Sequence, residues 1–175
     1  MQVDITDEKL TAAPTHSVRR VIGKLCQLLA RKMPLIPGKG RVFLQRLHGV
    51  NFVDWHSVFI GEDVVFDDLY PDAIQVGRGV LITTGVIILA HYLDTRFQPT
   101  LTRPFRFYRG KVVIGDFVFI GANTVISKPI HIGEGAIIGA NSVLTKDVPP
   151  YAIMVGVPAK QIGTRPSMIY NNSGK

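Results

Sequence analysis

The chain has a single cysteine, Cys26. One thiol cannot close an internal disulfide or build a thiolate metal site, so nothing points to an oxidising compartment, and a reducing cytoplasm is the expectation. Long hydrophobic runs are also missing. No stretch of about 18 apolar residues occurs, which excludes a membrane-spanning helix. A secretory leader is not expected either, because Asp4, Asp7 and Glu8 lie at the start and Lys24 and Gln27 interrupt the first apolar run. Acidic residues are scarce in one region only: residues 1–50 hold nine Lys/Arg against three acids, and residues 51–175 hold eleven against ten. The net charge of +7 and the pI near 9.8 therefore belong to the N-terminal piece. They do not describe a nucleic-acid footprint spread over the whole protein, and no nucleic-acid partner is expected.

What is present divides the 175 residues, 46% of them hydrophobic, into an appendage and one main domain. From Thr15 to Met33, the residues Val18, Val21, Ile22, Leu25, Leu28 and Leu29 follow helical spacing, with Arg20, Lys24, Gln27 and Arg31 mostly on the other side. Pro34, Pro37, Gly38 and Gly40 end that helix, and a second short one is expected over Arg41–Leu47. The favoured role of the first helix is to pack its apolar stripe on the main domain or on a neighbouring subunit. The other reading is a foot on a membrane surface, a peripheral contact made through its basic charge.

Beyond Asn51 the sequence repeats every six residues. Ile114, Ile120, Ile126, Ile132, Ile138 and Leu144 hold one phase. Gly115, Gly121, Ser127, Gly133, Gly139 and Thr145 follow them, and the fifth places are the compact Val118, Thr124, Ile130, Ala136, Ser142 and Val148. Six steps at about 100° leave apolar residues on no common helical face, and a regular strand would alternate every two. Six suits a short extended segment followed by a corner, with the first and fifth residues facing inward. Asn123, Gly135 and Asn141 occupy fourth places, where tight corners often need positive φ. Three such sides close a coil of eighteen residues, so Ile114 stacks under Ile132, Ile120 under Ile138 and Ile126 under Leu144, with layers about 4.8 Å apart. An earlier run places Ile60, Phe66, Val76, Ile82 and Ile88 in the same role, with four extra residues around "DLYPD".

With these hexads, "IGANSVLTKDVPPYAIMVGVPAKQI" resembles the terminal signature of the hexapeptide-repeat acyltransferases, the group of maltose, galactoside and xenobiotic O-acetyltransferases. "FDDLYPDAIQVGRGVLITTGVIILAH" resembles the first coils of sugar and polysaccharide O-acetyltransferases in that group. The resemblance covers roughly residues 51–163. It implies an all-β, left-handed parallel β-helix with a short N-terminal helical segment, a homotrimer, and acetyl-CoA lying along a seam between neighbouring prisms as cosubstrate, with no metal. The expected organisation is a helical appendage over 1–50, the β-helix over 51–163 with an insertion at about 92–111, and a tail over 164–175.

Acetyl transfer to a hydroxyl needs a base, and histidine suits neutral pH. His16 and His48 lie in the appendage, His131 takes an outward place in its hexad, and His56 sits in the irregular first coil. His91 ends the first run of hexads directly before the long interruption, and in "LAHYLD" it matches the place of the family's catalytic histidine. The resemblance assigns it the role of general base, with proton return to the departing thiolate. The carboxylate that orients it stays open at this point. Asp68 matches a family position facing the acceptor, Asp94 serves either the acceptor or the shape of the loop, and Asp67 and Asp72 lie close by. By resemblance, Ala122, Ala140, Thr145 and Lys146 line the pantetheine and adenine of the cofactor, and Lys160 approaches its phosphates. Phe119 stands where many relatives have tryptophan. The interruption mixes Arg96, Arg103, Arg106, Arg109 and Lys111 with Phe97, Phe105, Phe107 and Tyr108, a composition that suits a lid over a sugar acceptor or a contact with the next subunit. Two rival readings are a non-catalytic β-helix scaffold and a γ-type carbonic anhydrase. The second would need closely spaced metal-binding histidines, and His91 and His131 do not supply that spacing.

Overall fold

The computed structural model describes residues 8–9, 18–32, 37–95 and 107–166. From Asn51 onward the chain winds as a left-handed parallel β-helix of three sides. Side one stacks Asn51–Phe52, Ile74–Val76, Val112–Ile114 and His131–Ile132. Side two stacks Phe59–Ile60, Leu81–Ile82, Phe119–Ile120, Ile137–Ile138 and Ala152–Val155, and Lys160–Thr164 returns antiparallel on the last of these. Side three stacks Val65–Phe66, Ile87–Ile88, Val125–Ile126 and Val143–Leu144. The expected vertical neighbours are observed: Ile114 pairs with Ile132, Ile120 with Ile138 and Ile126 with Leu144.

The hexad explains itself in the packing. First-place side chains from Ile60 to Leu144 are at most 1% exposed, and the fifth-place Val118, Thr124, Ala136 and Ser142 are fully buried. The two polar fifth-place residues bond to the main chain, Thr124 Oγ1 donating to the Gly139 carbonyl at 3.1 Å and Ser142 Oγ accepting from Gly156 N–H at 3.1 Å. Second places need glycine where coils touch: a Cβ on Gly121 would stand 2.5 Å from the Ala140 nitrogen. At the corner between sides two and three, Asp63, Gly85, Asn123 and Asn141 all have positive φ. The corner between sides one and two runs Gly79, Phe117, Gly135 and Tyr151, also with positive φ. There Phe117 and Tyr151 take a conformation that costs a side chain energy, and their rings lie where the Cβ of Gly79 and Gly135 would be. Large and absent side chains thus alternate up that edge.

The third corner, after side three, is not built this way. Two irregularities leave the prism there, the turn around "DLYPD" and the long insertion after Ile88, while the first coil adds two residues between Phe52 and Ile60 at the corner between sides one and two. The insertion starts and ends as an antiparallel arm, His91–Leu93 pairing with Phe107–Arg109, which in turn pairs with Glu8–Lys9. Arg96, Phe97, Arg103, Phe105 and Arg106 lie outside the described residues.

Two helices precede the prism, α1 at Val18–Lys32 and α2 at Gly38–His48. The second is longer than the expected Arg41–Leu47. Val42 of α2 is fully buried in the same core as the coils, so α2 plugs the N-terminal end of the prism. α1 lies on α2 through small residues, since a Cβ on Gly23 would come within 3.1 Å of the His48 carbonyl. Cys26 and Ala30 are buried on the same face, and Gln27 Nε2 donates to the Phe66 carbonyl at 2.6 Å. Salt bridges from Arg31 to Asp63 and from Arg41 to Glu62, both at 2.9 Å, tie the helices to the first coil. The apolar stripe expected to pack on the body does not do so within this chain. Val18, Val21, Ile22, Leu25 and Leu28 are 53–78% exposed, because the small residues and Gln27 occupy the face against α2 and the stripe lies opposite.

Candidate active site

The third corner places Asp67 and His91 one coil apart. Asp67 follows Phe66, which pairs with Ile88, and His91 lies three residues beyond Ile88. His91 Nδ1 is 2.5 Å from Asp67 Oδ2. The Asp67 carboxylate is fully buried, while the His91 side chain is 23% exposed. Oδ1 of Asp67 accepts the N–H groups of Leu69 at 2.9 Å and Tyr70 at 3.1 Å, and Oδ2 also accepts the N–H of Ala90 at 2.8 Å. Three backbone donors converge on this carboxylate, so it acts as an acceptor and the ring nitrogen facing it carries the proton. Nε2 is then the nitrogen with a lone pair to offer, and the ring is held in one orientation.

The surroundings of the imidazole are aromatic and charged. The rings of Tyr70 and Phe107 each meet it edge to face at 5.9 Å. Arg109, the strand partner of His91, lies 4.7 Å over the Tyr70 ring and donates to Asp72 Oδ2 at 2.8 Å. Burial raises the pKa of the Tyr70 phenol, with the Asp67 and Asp72 charges adding to the rise and Arg109 and Arg20 opposing it. Tyr70 is thus a neutral wall beside the imidazole. The arm encloses His91 between its own Phe107 and Arg109 and the "DLYPD" turn.

Of the carboxylates weighed from the sequence, Asp67 is the one on the imidazole. Asp68 is exposed on the same turn, and the carboxylate bonded to His91 is that of Asp67. Asp94 is 6% exposed and accepts the Tyr108 hydroxyl at 2.8 Å, which fixes the base of the arm. Asp72 holds Arg109. The signal that could have picked out Asp67 is its place as the first residue past the inward Phe66, where the coil turns outward. His48 is buried in α2, with neither ring nitrogen bonded to a described residue. His56 is exposed and stacks on Trp55 at 3.8 Å. His131 sits on side one with its N–H bonded to Asp147 at 2.9 Å. His16 lies outside the described residues.

The positions expected to hold the cofactor fall in three places. Ala122 and Ala140 stack at the corner between sides two and three, Asn141 N–H donating to the Ala122 carbonyl at 2.8 Å. The turn Gly156–Ala159 caps that corner, Gly156 accepting from Val143 N–H and Ala159 donating to the Val143 carbonyl. Lys160 follows directly and is exposed. Thr145 and Lys146 lie one side further on, at the corner that carries His91 on an earlier coil. Phe119 faces outward on side two, in a groove of about 420 Å³ lined by Gly79, Leu81, Phe117, Ile137 and Arg165. On a single chain, the alanine corner and His91 stand at opposite edges of side three.

Residues 111–146 match the family model described as bacterial transferase hexapeptide (six repeats). The chain is similar to the putative acetyltransferase YvoF of Bacillus subtilis, with 39% identity over 106 residues that cover 60% of this chain and 56% of the relative. Among solved structures it resembles the hexapeptide-repeat acetyltransferase VCA0836 of Vibrio cholerae, with a TM-score of 0.61, 24% identity and coverage of 83% and 90% of the two chains. It also resembles a galactoside acetyltransferase solved in complex with coenzyme A, with a TM-score of 0.60, 23% identity and coverage of 83% and 80%. The chain spans little more than half the length of the curated relatives it matches. Residues 111–146 thus carry the hexapeptide repeats of that family model, and the chain shares the fold of these solved acetyltransferases.

Proposed function

We propose, from those likenesses and the geometry at the third corner, that the protein is an acetyl-CoA-dependent O-acetyltransferase acting on a hydroxyl of a sugar or polysaccharide precursor. The observation that carries this reading is the bond between a buried carboxylate and the His91 ring, which leaves Nε2 as a base beside the exposed Phe107 and the half-buried Arg109. Nε2 of His91 takes the acceptor's hydroxyl proton as its oxygen bonds to the acetyl carbon. The bond from that carbon to sulfur breaks, and the same nitrogen returns the proton to the thiolate. Asp67 holds the ring and stabilises the imidazolium between these steps. Tyr70 and Phe107 suit the apolar face of a sugar ring, and Asp72, Arg109 and Asp68 suit its hydroxyls.

The small residues stacked at Ala122 and Ala140 leave main chain open beside a slender pantetheine, and Lys160 offers a charge to phosphate. This corner and His91 cannot serve one reaction within one chain, because a full side of the prism separates them. A cyclic trimer resolves the separation if side three of one copy faces its neighbour. The outer residues of side two are Phe59, Leu81, Phe119, Ile137 and Ile153, and those of side three are Val65, Ile87, Val125 and Val143. Side one presents Asn51, Gln75, Val113 and His131. Two different apolar sides and one more polar side suit a ring built from heterologous contacts.

The test is thiol release from acetyl-CoA across a panel of sugars and nucleotide sugars. One or more acceptors should support turnover, and His91→Ala should lose about 10²- to 10⁴-fold of it with the fold intact. Failure to bind acetyl-CoA in calorimetry would leave a scaffold rather than an enzyme, and turnover unchanged in the variant would remove His91 as the base.

A further inference from the structure

The exposed stripe of α1 is an apolar feature that this site does not use. Residues advance by about 100° along a helix. Gly23, Cys26, Gln27 and Ala30 therefore share one face, and Val18, Val21, Ile22, Leu25 and Leu28 share the opposite one. The first face is buried against α2 and the first coil, while the five aliphatic residues are 78, 61, 53, 55 and 54% exposed in that order. Five such residues in line on one helix exceed the scattered apolar exposure of an ordinary surface.

The charge beside the stripe indicates what covers it. Neither α1 nor α2 contains an acidic residue. On α1, Lys24 lies between Val21 and Leu28 on one flank and is exposed. Lys32 continues the line of the stripe one turn past Leu28 and is 61% exposed, even with its Nζ 3.4 Å from Asp63 Oδ1, and Arg20 and Arg31 lie on the same flank as Lys24. A second copy presenting the same face would set like charges against each other, and the body of the chain over residues 51–175, with eleven cations to ten acids, has no acidic surplus to meet them. An anionic surface with an apolar layer beneath it complements both properties at once. At 15 residues the helix is too short to cross a bilayer, and among the described residues no helix is long and apolar enough to do so.

We infer that α1 is an interfacial helix that docks on anionic lipid, with Val21, Ile22, Leu25 and Leu28 entering the boundary of the acyl layer and Lys24 and Lys32 lying among the headgroups. The small-residue face serves as the joint that fixes α1 to the prism, so the whole enzyme body is carried on the surface. The inference is independent of catalysis, because its readout is binding alone.

The experiment is flotation of the full chain with vesicles of mixed phosphatidylserine and phosphatidylcholine, beside vesicles of phosphatidylcholine alone, at low and high salt. Binding to the anionic vesicles should exceed binding to the neutral ones by about tenfold or more and should fall with salt. Leu25→Gln with Leu28→Gln should abolish it, and Lys24→Glu should weaken it. All three substitutions are on the exposed face, so circular dichroism and thermal midpoint should match the parent chain. No flotation at low salt, equal flotation on neutral vesicles, or equal flotation of the Leu25/Leu28 variant would each overturn the inference. A fall in oligomer mass of that variant by sedimentation, with no lipid binding by the parent, would assign the stripe to a second copy instead.

Discussion

At the scale of single residues, the functional geometry depends on which of four nearby carboxylates faces the imidazole. Asp67, Asp68 and Asp72 lie within six positions, and residue type alone gives no reason to prefer one. Asp67 is selected by its place in the coil: it follows the inward Phe66, so its side chain turns into the corner beneath Ala90 and His91 rather than out to solvent. His91 itself was legible, because the hexad phase stops just before it. The role of Asp67 has a test that a structural role alone would not pass. An asparagine has one oxygen for two sets of N–H donors, so Asp67→Asn confronts an amide N–H with either Leu69 and Tyr70 or Ala90 and His91. The cost is about 1–3 kcal/mol of stability. If Asp67 acts through His91, turnover falls with little change in KM for acetyl-CoA. The double variant with His91→Ala should be no slower than His91→Ala alone. A further large loss in the double variant would give Asp67 a separate role.

At the scale of elements, period six was sufficient to place the strands, their vertical partners and the inward residues, since each repeats the same local demand. Features outside that repeat were less visible. Phe117 holds positive φ at a fourth place where asparagine or glycine is expected, and Tyr151 reaches the same corner because the last coil slips two residues and sets the expected fifth-place Val148 against Ile132; what tolerates both is the space left by Gly79 and Gly135 one coil away, a relation no local window contains. α1 shows the same limit. Its period marks an amphipathic helix, yet which face meets the body is decided by Gly23, Cys26 and Ala30, whose smallness permits close approach, and by the bond from Gln27 to Phe66. The joint also buries His48 against Gly23. Burial lowers the His48 pKa below its ordinary value of 6.5, outweighing the opposing pull of Asp67 and Asp68, while Lys24 adds to the lowering. The folded chain therefore holds His48 neutral where the unfolded chain protonates it. This stability is present above pH 6.5 and is lost as pH falls through and below that value, because the unfolded state then binds the additional proton. His48→Leu should flatten the acid limb of thermal midpoint against pH. An unchanged acid limb would assign the sensitivity to other groups.

At the scale of the whole molecule, the prism is nearly one-dimensional. Each coil repeats the last, and chemistry is confined to corners where the repeat breaks. The irregular corner carries His91, the proposed base, and a regular one carries the alanine stack and the turn before Lys160. Their separation across side three was not legible in the sequence, because it depends on how three sides close rather than on any motif. It leads to a prediction that distinguishes a shared site from an internal one. Chains carrying His91→Ala lack the base but keep the alanine corner, and chains carrying Ala140→Trp keep the base but block that corner. Each is expected to be inactive alone. When the two are unfolded and refolded together, every mixed trimer contains one junction at which an intact His91 faces an intact corner. Random assembly makes three trimers in four mixed, and one junction in three is whole in each, so about a quarter of parental turnover should return. Recovery near that level places the two halves of the reaction on different chains. No recovery, with mixed trimers demonstrated by mass, would require the base and the cofactor corner to meet within one chain, and the prism would then have to bind its cosubstrate along an edge other than the one between sides two and three.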